Sequence, residues 1–141
     1  MKKFLLSNKR FRSQTHINTI SYNGILLLTG ESTSESVKQE VVEYANRVNG
    51  VRQVVDEVRI SGKTGLLSRS NDSVITGKVK TALLAKMQTR ANQMKVVTEF
   101  GTVYLMGIVT EEEANRATEI ARSIGGVVRV VRVFEIRVVN S

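Results

Sequence analysis

Cysteine is absent from this 141-residue chain. Its absence excludes disulfides, thiolate metal sites, a thiol nucleophile and lipid attachment through cysteine in the chain as it stands, and leaves the redox compartment unreadable. Long apolar runs are missing too. No stretch approaches the roughly 18 residues that a membrane-spanning helix requires. The opening Met1-Lys2-Lys3-Phe4-Leu5-Leu6 imitates a secretory signal, but Ser7, Asn8, Lys9 and Arg10 follow before an apolar stretch of roughly 7–15 residues can form. Histidine occurs once, as His16, beside a strand start and with no acidic partner nearby in sequence, which fits a surface or capping role far better than a general base. Ser68, Ser70 and Ser73 lie in no nucleophile elbow, and the glycines match neither a P-loop nor a dinucleotide fingerprint. The expectation is a chain with no catalytic residues, no metal site and no cofactor.

What is present is a core and an excess of positive charge. Apolar residues make up 41% of the chain, enough to pack one ordinary domain or two small ones. The net charge of +8 favours an anionic partner, whether nucleic acid, anionic lipid or acidic protein. The charge is unevenly placed. Residues 1–12 carry five basic and no acidic groups, residues 13–62 four against six, and residues 63–141 twelve against seven. The middle segment, at −2, is therefore not the anion-binding surface.

An internal repeat organises the chain. Asn23-Gly24-Ile25-Leu26-Leu27-Leu28-Thr29-Gly30 lies over Phe100-Gly101-Thr102-Val103-Tyr104-Leu105-Met106-Gly107, both glycines being displaced by 77 positions (101 − 24 and 107 − 30). After a one-residue deletion the match resumes, and Gly50, Val51, Val54, Val55 and Ile60 recur as Gly126, Val127, Val130, Val131 and Ile136. Each copy reads as strand, tight turn, strand, helix, strand. Residues 17–22 and 25–29 flank Asn23-Gly24, a strong hairpin signal because both positions tolerate positive φ; residues 95–99 and 102–106 flank Phe100-Gly101. Gly30 and Gly107 are expected to close the hairpins. Capping boxes then open the helices, Ser32 with Glu35 and Thr110 with Glu113, and the run Glu111-Glu112-Glu113 suits the positive end of a helix dipole. Val37, Val41, Ala45 and Val48 share one helix face, as do Ala114, Ala117, Ala121 and Ile124 with Ile120 beside them.

Another helix is expected before the second hairpin, opened by Asp72 and running to about Met87, with Ile75, Val79, Leu83 and Met87 four apart on one face. The first copy holds only the tail of that helix, at residues 1–6. The boundaries expected are 1–62 for the first unit, 63–71 for a linker whose Leu66 and Leu67 dock between the units, and 72–141 for the second. Strand–helix–parallel strand crossovers are right-handed almost without exception. Each unit should thus be a two-layer α+β fold, a three-stranded mixed sheet with helices on one face.

The order of these parts, helix, Gly-turn hairpin ending in Gly, capped helix, Gly-Val and Val-rich strand, resembles the BON domain. Two in tandem resemble the twin-BON lipoproteins of the Gram-negative outer membrane, the DolP/YraP group, with residues 71–80 and 103–114 the nearest stretches and residues 11–138 covered overall. The resemblance implies a non-catalytic module peripheral to the outer membrane on its periplasmic side, binding anionic phospholipid through the second unit and supporting outer-membrane integrity. Carried onto this sequence, the lipid contacts are Val74, Ile75, Lys78, Lys80 and Leu84. It also leaves room for envelope proteins as partners, which is the alternative reading of an interaction adaptor on the same fold, and for a homo-oligomer formed through the shortened first unit. This chain departs from the group at Val74, where an aromatic residue is frequent, and in lacking a signal and a lipidated cysteine, which is expected of a truncated gene product or a start at an internal Met.

Two readings stand for the helix from Asp72. In one, its lysines Lys78, Lys80 and Lys86 are a solvated face over a buried stripe. In the other, Val74 and Leu84 flank those lysines as an apolar and basic patch suited to an anionic interface. Arg129, Arg132 and Arg137 alternate with Val and Ile on the last strand and read as a solvated sheet face. Nucleic acid is not expected as a partner, because stacking platforms need aromatics, and Phe100 and Tyr104 near this sheet stand in no RNA-binding motif.

Overall fold

Asn23-Gly24 and Phe100-Gly101 pass through the left-handed region, with φ of 50° and 80° in the first pair and 53° and 77° in the second. Two consecutive residues with positive φ match the right-handed twist of the strands they join, so each pair makes a two-residue hairpin. The chain, described by a computed structural model over residues 11, 14–60 and 66–138, divides into two units, Met1–Thr64 and Gly65–Ser141. The first contains β1 (Thr15–Tyr22), β2 (Ile25–Ser32), α1 (Glu35–Asn46) and β3 (Gln53–Ile60). The second contains α2 (Leu66–Met87), a 3-10 turn (Gln88–Gln93), β4 (Met94–Glu99), β5 (Thr102–Val109), α3 (Glu111–Arg122) and β6 (Arg129–Ile136). In each the middle strand pairs antiparallel with the strand before it and parallel with the strand after its helix, giving orders β1-β2-β3 and β4-β5-β6.

Gly30 and Gly107 lie inside β2 and β5 rather than at their ends, because both strands run on to Ser32 and Val109. A Cβ on Gly30, at φ 106°, would overlap the His16 carbonyl oxygen; one on Gly107, at φ 151°, would come within 2.5 Å of the Gln93 carbonyl oxygen. The two glycines are where a neighbouring backbone crosses too closely for any side chain.

One apolar layer fills the space under each sheet. In the first unit Phe11, Leu26, Leu28, Val37, Val41, Ala45 and Val58 form it. In the second, Ile75, Val79, Leu83 and Met87 of α2 meet Val96, Val103, Leu105 and Val109 of the sheet and Ala114, Ala117, Ile120 and Ala121 of α3. Each large side chain so buried contributes about 1.5–3 kcal/mol. The alanines of α3 let that helix sit close to the strands.

Three expectations are corrected. The cap of α1 is Ser34, whose hydroxyl accepts from the Val37 amide at 3.2 Å; Ser32 ends β2, and its hydroxyl donates to the Ser34 carbonyl at 2.8 Å. Thr110 and Glu113 do form the capping box of α3. The linker placed at 63–71 is helical from Leu66, so Asp72 sits inside α2 instead of opening it. The arginines of β6 do not share one wet face, since Arg132 reaches over to α3, donating to Asn115 and to Glu111, each at 3.1 Å. The helix tail expected at residues 1–6, and the side chains of Leu66 and Leu67, lie outside the described residues.

Candidate functional site

The orientation of α2 is fixed by polar contacts at its first half as well as by its apolar stripe. The buried Asp72 carboxylate accepts from the Phe100 and Gly101 amides at 2.8 and 2.9 Å, tying the helix to the β4–β5 turn. One turn on, the Thr76 hydroxyl bonds that of Thr98 at 2.7 Å. Two amides on one carboxylate make a contact stronger than a neutral hydrogen bond. Since the buried stripe from Ile75 to Met87 prevents the helix from rolling, its opposite face is determined.

That opposite face carries four of the five residues singled out as lipid contacts. Val74 and Leu84 are 52% and 55% exposed, and Lys78 and Lys80 are exposed. At about 100° per residue, Val74 and Leu84 lie roughly 220° and 140° around the helix from Val79, with Lys78 and Lys80 farther out at roughly 260° and 100°. The lysines therefore border the apolar pair on opposite sides. Ile75 is the exception: at 1% exposed it packs in the core, with its side chain under Gly126, and is not available to a ligand. Gly77 and Thr81 occupy the centre of the face. A Cβ on Gly77 would meet nothing within 4 Å, and the Thr81 hydroxyl donates back to the Gly77 carbonyl at 2.9 Å. Among the described residues neither Lys78 nor Lys80 has an ion-pair partner. No helix among those residues is long and apolar enough to cross a membrane, α2 included.

A second polar cluster gathers at the far end of α2. Glu113, 8% exposed, accepts from the Thr110 amide at 2.8 Å and pairs with Arg90 of the 3-10 turn and with Arg137, the latter at 3.6 Å. The Thr110 amide chiefly, and then Arg90, hold its carboxyl below the ordinary value of 4.5 although burial opposes them. The sequence reading gave this glutamate its capping role with Thr110, which the structure bears out, but not its burial or its arginine partners. The overlooked signal is in the repeat, where Glu113 takes the place of buried Val37 (113 − 37 = 76, the spacing of Gly50 and Gly126). Among the described residues no group of three His, Asp or Glu side chains could hold a metal ion.

The profile of the BON domain matches residues 1–62 and again 71–138. Outer membrane lipoprotein DolP of Haemophilus influenzae is 36% identical over 126 residues, which cover 89% of this chain and 65% of that protein. The 21 kDa hemolysin of Actinobacillus pleuropneumoniae is 34% identical over 130 residues, covering 92% and 67%. Osmotically-inducible protein Y of Escherichia coli is 29% identical over 130 residues, covering 90% and 64%. The chain thus spans about two thirds of the length of each of these relatives. With one match over each strand–turn–strand–helix–strand unit, the chain belongs to the BON domain family and carries that domain twice.

Proposed function

We propose that the chain is a non-catalytic protein of the cell envelope, and that its second unit docks on an anionic phospholipid surface through the outward face of α2. The observation that carries this reading is the pairing of two half-exposed apolar side chains, Val74 and Leu84, with a lysine on each border, on a helix held too firmly to turn them inward. Kinship with a protein named an outer membrane lipoprotein supports the envelope setting. The magnitudes decide what sort of docking this is. Two lysines near an anionic surface supply about 2 kcal/mol, and immersing the exposed halves of a valine and a leucine adds roughly 2–3 kcal/mol. A sum near 4–5 kcal/mol corresponds to a dissociation constant of about a millimolar or a little below, so the face alone gives transient contact and needs a second attachment to hold.

Co-sedimentation with vesicles tests it. The chain should pellet with phosphatidylglycerol vesicles and much less with phosphatidylcholine, and added salt should release it. Lys78→Glu with Lys80→Glu, or Val74→Ser with Leu84→Ser, should abolish pelleting while leaving the fold intact, because all four side chains are exposed. Pelleting that ignores both lipid charge and these substitutions would overturn the reading.

A further inference from the structure

Two Asn-Gly dipeptides stand in the chain, Asn23-Gly24 and Asn49-Gly50, and both lie in the first unit. Their counterparts in the second unit are Phe100-Gly101 and Gly125-Gly126. Asparagine is a chemically labile residue, and a following glycine exposes that lability most, because it leaves its own amide nitrogen unshielded and its backbone free to turn. Both asparagines are exposed. Their backbones are held very differently.

For an asparagine side chain to close a ring with the next residue's nitrogen, the backbone must rotate about the asparagine Cα–C bond. Because the peptide is planar, that rotation swings the carbonyl oxygen and the nitrogen together. At Asn23 it is blocked. The Asn23 carbonyl accepts from Arg52 Nε at 3.2 Å and Nη2 at 2.6 Å, and the Gly24 carbonyl accepts from the Arg52 and Gln53 amides at 2.7 and 3.3 Å. At Asn49 neither the carbonyl nor the Gly50 amide takes part in a backbone hydrogen bond among the described residues. A Cβ on Gly50 would meet nothing within 4 Å, whereas one on Gly24 would come within 2.9 Å of Arg52 Nε. A single bond closes the turn around Asn49, from the Val51 amide to the Val48 carbonyl at 3.2 Å, with Gly50 at φ 91° in the glycine position of a type II turn.

We propose that Asn49-Gly50 is a self-modifying site, at which Asn49 is deamidated to aspartate and isoaspartate through a cyclic imide. The Gly50 nitrogen gives up its proton to solvent and bonds to Asn49 Cγ; the Cγ–Nδ2 bond breaks, and Nδ2 takes up a proton and leaves as ammonia. Water then adds to one of the ring's two carbonyl carbons. Opening at Cγ gives aspartate, opening at the backbone carbon gives isoaspartate, and water is the only co-reactant. Either product adds a negative charge to the first unit. Isoaspartate also lengthens the backbone between Val48 and Val51 by one atom, which the closing bond of the turn does not accommodate. Arg52 and Gln53 then draw away from the Gly24 carbonyl, and the tip of the β1–β2 hairpin loosens. The second unit, with Gly125 where the first has Asn49, is immune. The site is remote in sequence from α2, so it stands whether or not that helix meets lipid.

The test is to age the full chain in mildly alkaline buffer at physiological temperature and to map it with trypsin, which cuts after Arg47 and Arg52 and so separates Asn49 from Asn23. Asn49 should convert at least tenfold faster than Asn23 in the folded chain, and at a similar rate in urea, where neither turn is held. Hydroxylamine, which opens cyclic imides, should cut the ageing chain between Asn49 and Gly50. Asn49→Gln should abolish that cut. Arg52→Ala, which frees the Asn23 carbonyl, should raise conversion at Asn23 severalfold and leave Asn49 fast. Amide exchange of the aged chain should quicken at Arg52 and Gln53 and stay unchanged in the second unit. The comparison of the two asparagines within one unsubstituted chain does not depend on any variant folding. Equal rates at Asn49 and Asn23 in the folded chain, faster conversion at Asn23, or no cut by hydroxylamine would overturn the proposal.

Discussion

The two copies share a backbone and differ in what fastens it. In the first, the helix meets the third strand through Lys38 and Asp56, 3.3 Å apart; in the second, Arg132 takes the place of Asp56 and meets Glu111, which lies where the first helix has Glu35, at 3.1 Å. Val37 in the first core is replaced by Glu113 in the second, drawing in Arg90 and Arg137. What persists between the copies is therefore the geometry that only the backbone can satisfy, the two turns and the two close crossings. The charges are free to change as long as each finds a partner, and it is there that the second unit became the more basic one.

Substitutions at the shared crossings should break both copies alike and give the largest effect. Gly30→Ala and Gly107→Ala each force a backbone shift at positive φ, with an expected loss of about 3 kcal/mol or more, larger for Gly30 where the overlap is worse. Chemical denaturation followed by exchange mass spectrometry, which reads the units separately, checks that each change is confined to its own copy. Next comes Asp72→Ala, which leaves the Phe100 and Gly101 amides without acceptors and should cost the second unit about 2–3 kcal/mol; the Asn variant should lose less, because it keeps one acceptor.

Glu113 gives the copies different responses to acid. Its folded-state pKa lies below the unfolded one, so its contribution is present above the ordinary carboxylate range and disappears as pH falls through the lowered value. The second unit should thus lose stability below about pH 4.5 through this group, and a Glu113→Gln variant should show a flatter acid limb in thermal melts. Substituting Val there, as in the first copy, should leave Arg90 and Arg137 without their shared partner and lower stability at neutral pH by about 1 kcal/mol. The smallest effect belongs to the crossing ion pairs. Exchanging Glu111 and Arg132 for lysine and aspartate should change stability by less than about 1 kcal/mol, as expected of exposed pairs.

The fold was legible because its signals were local and repeated. Asn23-Gly24, Phe100-Gly101, the Thr110–Glu113 box and the four-residue spacing from Ile75 to Met87 each specify a conformation from neighbours in sequence. The apolar pair and its lysines followed from the same helical spacing. Long-range contacts were not legible. Asp72 resembled a cap because its partners lie 28 and 29 residues away, and Ile75 was carried into the candidate site although its own spacing put it in the core. Ser32 lost its role to Ser34 because β2 continued two residues past the point where the turn chemistry appeared to end it.

Gly77 has a mechanical consequence. An alanine there would gain about 0.5–1 kcal/mol of helix propensity and strike nothing. Below it, Thr81 draws a hydroxyl onto the same carbonyl, a contact that loosens the helical ladder. The turn of weakest helix propensity in a rod some 33 Å long (22 residues at about 1.5 Å each) thus falls midway between Val74 and Leu84, and what keeps the two apolar ends on one rod is Val79, wholly buried beneath that turn.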